Sequence, residues 1–295
     1  MITWGLPIWL YLWLAGMAAG AYFAAFLGER FGKLDDHRLI RTAAYMGIPF
    51  ALIGVAFLII DLGEPSRFWH LLVVLKPSSP MSVGSWLLTL WIAVASLILV
   101  LWHTKKWLHL KPSTINRTTN FLHVSGFIIS LFLMGYTGVL LAATNQPLWG
   151  STISLPPLFV TSAVSTGAAL LILIGLITRM WKSHGDIIHR MVQVDAVVIV
   201  VELLILGAYM LWLPRSGVPG ADESMRRLTT GVLAARFWLG VVLLAILIPF
   251  ALDVVHWGKK IGEHKTVFGA AVASSTCVIF GALILRAVIV IGGQI

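Results

Sequence analysis

The sequence is poor in cysteine, in charge and above all in acid. One cysteine, Cys277, leaves no intrachain disulfide, no cysteine-ligated iron–sulfur cluster and no covalent haem of the two-cysteine kind. Only 11% of the 295 residues are charged while 59% are hydrophobic, too little polar surface for a water-soluble globule. The 12 acidic residues are outnumbered by 21 Lys and Arg, so the placement of each sign carries information.

What is present is a succession of apolar runs. A bilayer-spanning helix takes roughly 20 mostly apolar residues, and eight runs qualify, near 5–28, 43–62, 83–102, 119–143, 156–180, 190–213, 229–256 and 266–292. The chain therefore reads as all-α, a single integral membrane domain over 1–295. The connections are too short for a separate soluble domain, so any catalytic domain belongs to another polypeptide. A faint similarity between Asp35-Asp36-His37-Arg38 and Asp186-Ile187-Ile188-His189-Arg190 suits two four-helix bundles. Gly16 and Gly20 have GxxxG spacing on the first span, which allows close helix approach.

Most of the basic residues fall in alternate connections. Arg30, Lys33, Arg38 and Arg41 follow span one; Lys105, Lys106, Lys111 and Arg117 follow span three; Arg179, Lys182 and Arg190 follow span five; Lys259, Lys260 and Lys265 follow span seven. The other connections hold Arg67, Lys76, Arg215, Arg226 and Arg227. The positive-inside rule then places both termini on the outer side. The net charge of +9 is explained by orientation and needs no nucleic acid. No Lys or Arg precedes span one, the reverse of a signal peptide, so that span reads as retained. Trp4, Trp69, Trp149, Trp181, Trp212 and Trp257 mark span ends, as an aromatic belt does.

An ionisable side chain at mid-bilayer costs roughly 2.5–3.5 kcal/mol on insertion scales, so each needs a partner or a task. Asp195, Glu202, Arg236 and Arg286 lie within spans, with His123, Asp253 and His256 nearer the cytoplasmic ends. Asp195 and Glu202 are about two helical turns apart on one face, and Glu202 with Arg236 is the expected buried pair. Titratable groups at successive depths suit a proton route through His256, Asp253, Asp195 and Glu202 toward Arg236 and Arg286; an ion pair that only fixes helix register is the plainer alternative. His123 and His256 could in principle face each other as haem ligands, but with no second pair at another depth they suit relay or loop roles better.

At the outer end of span two, Gly63 and Pro65 stop the helix and set Asp61, Glu64, Arg67 and His70 at the membrane surface. A lipid-soluble hydroxyaromatic substrate would meet them there. On span four, Gly135 and Gly138 leave room beside the phenol of Tyr136.

With these residues in view, the chain resembles the polysulfide reductase membrane-anchor family, called NrfD-like or PsrC-like, over essentially its whole length. The resemblance rests on Trp4-Gly5-Leu6-Pro7-Ile8-Trp9-Leu10-Tyr11, on Asp61-Leu62-Gly63-Glu64-Pro65-Ser66-Arg67-Phe68, on Tyr136-Thr137-Gly138 with Pro147-Leu148-Trp149, on Leu155-Pro156-Pro157-Leu158-Phe159, and on Leu285-Arg286-Ala287 with Gly293-Gln294. It implies an eight-helix, haem-free subunit of a bacterial or archaeal cytoplasmic membrane that binds menaquinone or ubiquinone. It also implies two partners, a four-cluster ferredoxin-like iron–sulfur subunit and a molybdopterin catalytic subunit. The family's quinone-contacting tyrosine on the fourth helix matches Tyr136. Its polar contacts on the first helix find only Tyr22 between Gly16 and Tyr22, and the residue before the span-two proline, often basic in relatives, is Glu64 here.

The leading expectation is a subunit exchanging electrons between the quinone pool and a docked iron–sulfur protein, with coupled proton transfer. Tyr136 would hydrogen-bond a quinone oxygen, Asp61 or His70 would exchange its proton, and Arg67 would steady the anion of a half-reduced quinone. A proton-coupled transporter would also bury carboxylates and arginines, with helices interrupted at residues such as Pro49 and Pro249. A purely structural anchor is the third reading.

Overall fold

A computed structural model describes residues 4–33, 36–104, 112–143, 148–149, 154–259 and 265–294. Lys105, Lys106, Lys111 and Lys260 of the charge pattern, and Asp35 and Pro147 of the motifs, lie outside these residues. Among the described residues there is no strand, and eight helices are long and apolar enough to cross a membrane. They are α1 (Leu6–Gly32), α2 (Arg38–Asp61), α3 (Pro80–Thr104), α4 (Pro112–Ala142), α5 (Leu155–Ile177), α6 (Trp181–Trp212), α7 (Arg236–Val255) and α8 (Lys265–Gly292). The chain is a multi-pass integral membrane protein.

Local chemistry fixes several ends. Pro7 opens α1 and Pro156 opens α5, where a missing N–H costs nothing. α1 ends at Lys33, which takes the left-handed conformation and returns its N–H to Glu29. Two spans start elsewhere than the apolar runs imply. α6 begins at Trp181 rather than near 190, because a polar amphipathic turn precedes the apolar run, and it kinks at His184. α7 begins at Arg236 rather than 229, because Ala221–Thr229 forms its own short helix and residues 230–233 turn the chain. From Arg236 to Leu247, α7 is wound with π-type hydrogen bonding before resuming α geometry at Ile248.

The first four spans touch in the order α1–α2–α3–α4 with α4 closing back on α1, and the last four repeat this with α8 closing on α5. α1 and α5 lie at the centre, also meeting each other, α4 and α8. Their crossing is a backbone contact. A β-carbon at Gly20 would collide with the Ala163 carbonyl, and one at Gly167 with the Gly20–Ala21 backbone, so GxxxG spacing serves close approach here. The outward faces of α2, α3, α6 and α7 carry exposed Leu, Ile and Val, as lipid contact requires.

Both chain ends meet on one face. Gln294 accepts from the Trp4 N–H at 2.5 Å and donates to the Trp4 carbonyl at 2.9 Å, Trp149 stacks on Trp4 at 5.2 Å, and Tyr209 donates to the Leu148 carbonyl at 2.6 Å. On the opposite face, His184 lies 3.1 Å from Asp36 and ties the start of α6 to the α1–α2 connection.

Candidate functional site

On the face that carries the termini, α2 ends at Asp61 and the chain passes through a 3-10 turn, Pro65–Arg67, and a single helical turn, His70–Val73. Asp61, Glu64, Arg67 and His70 are all exposed. Arg67 bridges Glu64 at 2.8 Å, His70 Nδ1 lies 3.0 Å from the Arg67 carbonyl, and the imidazole stacks on Trp69 at 3.8 Å. The segment is thus a self-paired polar rim.

Beneath that rim lies a cavity of about 160 Å³, walled by Leu52, Val55 and Leu58 of α2, Leu62, Phe68 and Leu71 of the turn, and Ser85, Leu88 and Thr89 of α3. It is apolar apart from two hydroxyls, and both are already engaged: Ser85 donates to the Ser82 carbonyl and Thr89 to the Ser85 carbonyl. Tyr136 lies behind this wall. Its phenol rests on Gly84 of α3, where any β-carbon would collide with the ring. Gly84 adjoins the cavity-lining Ser85 in sequence, so α3 stands between the phenol and the cavity.

Tyr136 is not alone. The Tyr11 hydroxyl of α1 is its electrostatic neighbour, yet among the described residues this buried hydroxyl has no well-formed hydrogen bond. Tyr11 looks in sequence like a core aromatic within the opening motif; only its placement opposite Tyr136 distinguishes it. An orphaned buried phenol is costly, and a carbonyl oxygen from a ligand would satisfy it. The apolar cavity and, across α3, the two phenols are the candidate site for a lipid-soluble ring.

The intramembrane charges lie in the other half. Glu202 is buried beside the Ser162 hydroxyl, and Arg286, fully buried, reaches the same hydroxyl from the other side with Nη1 at 3.4 Å. Arg286 also donates to the carbonyls of Ala282 at 2.9 Å and Leu12 at 3.3 Å, and its guanidinium lies 5.5 Å over the Phe159 ring. The expected pairing of Glu202 with Arg236 is corrected: Arg236 is exposed at the start of α7, and no ion pair joins it to Glu202 among the described residues. The reason is helix order, since α6 packs most extensively on α5, and α8 also packs on α5, which puts Arg286 across from Glu202.

Asp195 is buried beside Ser165, but Asp195 Oδ1 and Ser165 Oγ have no hydrogen-bond partner among the described residues. Its electrostatic neighbours are Glu202 and Asp253. Asp253, buried beside Ser274, reaches a small cavity lined with His189, His256 and Lys259 on the face opposite the termini. His123, by contrast, is 4.6 Å from His37 in the first half, so it and His256 serve different cavities and do not face each other. Among the described residues, no three His, Cys, Asp or Glu side chains gather as a metal-binding group.

The chain matches the family described as "Polysulphide reductase, NrfD" over residues 1–295. It is 31% identical to a polysulfide reductase chain of Wolinella succinogenes, covering 99% of this chain and 95% of that one. It is 29% identical to protein NrfD of Escherichia coli, over 100% and 96%. It is 23% identical to a selenate reductase subunit of Mesobacillus selenatarsenatis, over 88% and 68%. The eight-helix chain with its opening, turn and Tyr136 motifs belongs to the NrfD polysulphide reductase family.

Proposed function

We propose that this chain is the quinone-reactive membrane subunit of a respiratory oxidoreductase of the cytoplasmic membrane. It exchanges electrons between the quinone pool and a docked iron–sulfur subunit, itself joined to a molybdopterin catalytic subunit. The observation that carries the reading is the Tyr11–Tyr136 phenol pair behind an apolar cavity at the lipid boundary. The names of its relatives, polysulfide reductase and selenate reductase, support a redox complex.

A quinone supplies two-electron, two-proton redox chemistry when bound. This chain's part is to hold and protonate it. The walls of α2 and α3 exclude water and admit the ring, and Tyr136, with Tyr11 beside it, offers a hydrogen bond to a ring oxygen. Asp61 and His70 on the exposed rim exchange protons with solvent, and Arg67, paired with Glu64, sets the local charge. In the second half, Asp253, Asp195 and Glu202 form a descending series of carboxylates, with Arg286 as the cation at its end.

A transporter reading gains nothing specific at Pro49, where the helix continues; at Pro249 α7 changes from π to α winding without ending. Tyr136→Phe in the assembled complex is the direct test. Quinol-dependent turnover should fall by about 10²-fold or more, the lower range for a lost general acid; turnover at the wild-type rate would show that Tyr136 is not the ligand.

A further inference from the structure

The first half holds a cluster that the roles above leave unused. Glu29, at the end of α1, is 4% exposed. Its Oε1 accepts the Ile40 N–H at 2.8 Å and its Oε2 lies 3.1 Å from His37 Nδ1. The His37 ring meets the buried His123 of α4 edge-on at 4.6 Å. Two cavities, about 460 and 250 Å³, open on this cluster from the face opposite the termini, and both are lined by His37 and His123.

From there a series of polar groups runs inward along the facing sides of α1 and α4. Tyr22, seven residues before Glu29 and so about 10 Å along α1, is an electrostatic neighbour of Glu29. Its buried hydroxyl has no hydrogen-bond partner among the described residues and lies against Gly126, three residues on from His123. Next comes Ser130, which accepts the Trp91 indole N–H at 2.8 Å, and Trp91 stands edge-on to Tyr22 at 6.1 Å. Six residues further along α4 is Tyr136, with Tyr11 beside it. Among the described residues the buried Tyr22 hydroxyl has no hydrogen-bond partner and that of Tyr11 has only Tyr136 beside it, and both lie on this one line.

We propose that Glu29, His37, His123 and Tyr22 form a proton route to the phenol pair, entering from the face opposite the termini and separate from the carboxylate series of the second half. The proposal rests on the quinone reading above. Reduction of a quinone to a quinol takes two electrons, from the reduced iron–sulfur clusters of the partner, and two protons; oxidation returns both. Along the route each group takes up one proton for each it releases, so none changes its own state over a cycle. An imidazole does this through its two nitrogens and a phenol through its oxygen. Steps of about 10 Å along a helix exceed one hydrogen bond, so water bridges them.

The groups facing the two imidazoles are Glu29, Arg30 and Lys33 of α1, Asp36 before α2, Arg41 of α2, Trp102 of α3, and Asn116 and Asn120 of α4. Its hydrogen bond to the Glu29 carboxylate holds His37 protonated above the usual imidazole range, which suits a proton-collecting entrance.

The test uses the whole complex in vesicles with pyranine trapped on the side of the α1–α2 connection. Tyr22→Phe keeps the ring against Trp91 and removes only the hydroxyl; Glu29→Gln removes the entrance charge. Both should slow pyranine-detected proton uptake by about 10²-fold, the lower end of the range for a lost proton-transfer group. In His123→Ala, added imidazole should restore uptake, which a merely structural role would not allow. As a readout free of turnover, Glu29→Gln should move the ¹⁵N titration of His37 to lower pH. Wild-type uptake in both Tyr22→Phe and Glu29→Gln, with Tyr136→Phe inactive, would overturn the route and leave the quinone reading standing. An active Tyr136→Phe would overturn the reading on which the route depends.

Discussion

The buried charge at the centre of the second half works through a hydroxyl. Arg286 reaches Ser162 and two backbone carbonyls, and Glu202 lies on the far side of the same serine. Removing one member leaves the other desolvated. Arg286→Met should therefore lower stability by about 3–5 kcal/mol, the usual result of breaking a buried pair, and adding Glu202→Gln should recover much of it. Thermal unfolding in detergent of the two single variants and the double variant measures this coupling. At the opposite face, the raised His37 titration carries its own sign. The stabilising Glu29 contact is complete below the free imidazole value of about 6.5 and is lost as pH rises through the higher value of the folded state. Glu29→Gln should flatten that part of the stability profile, and an unchanged profile would remove His37 from the account. Which of these residues could be read in sequence follows from what each needs. Tyr136, Asp195 and Glu202 stand out because a phenol between glycines and acids within apolar runs are locally odd. Tyr11 and Tyr22 look like ordinary core aromatics, and Arg236 looks as good a partner as Arg286. Partner choice depends on which helices adjoin, and no local pattern records that.

At the scale of elements, the eight spans were legible because bilayer thickness sets one length and each run meets it. Their ends were less so. The polar turn of α6 around His184 has no hydrophobic signal, and the π-wound stretch of α7 has the same composition as an α-helix. The α1–α5 crossing was half visible: Gly16 and Gly20 announced close approach, but only the fold shows that Gly20 meets Ala163 and that Gly16 lies under Arg286. Gly167→Leu should force α1 from α5 and cost most of the folded, monodisperse protein in size-exclusion chromatography. Gly185→Leu, where nothing lies within 4 Å, should leave the elution profile unchanged. A tolerated Gly167→Leu would contradict the backbone contact. Gly84→Leu should expel the Tyr136 phenol from its bed and reduce quinone turnover with little change in the second half.

For the molecule as a whole, the two ends of the chain are clasped together by Trp4 and Gln294, so they share a face. From the charge pattern we propose that this face is the outer one. Alkaline phosphatase fused to either end should be active and green fluorescent protein dark; the reverse would turn the molecule over and with it the docking side of the partner. The larger claim is that electrons pass between a lipid-soluble quinone held near Tyr136 and iron–sulfur clusters held by another polypeptide. The most direct measurement is the spectrum of the complex extracted in mild detergent with this chain tagged, recorded while a quinol and then a quinone are added. The account predicts cluster signals that change with the added couple and fail to change in Tyr136→Phe. An intact preparation without iron, or clusters indifferent to the quinone couple in the wild-type chain, would contradict it.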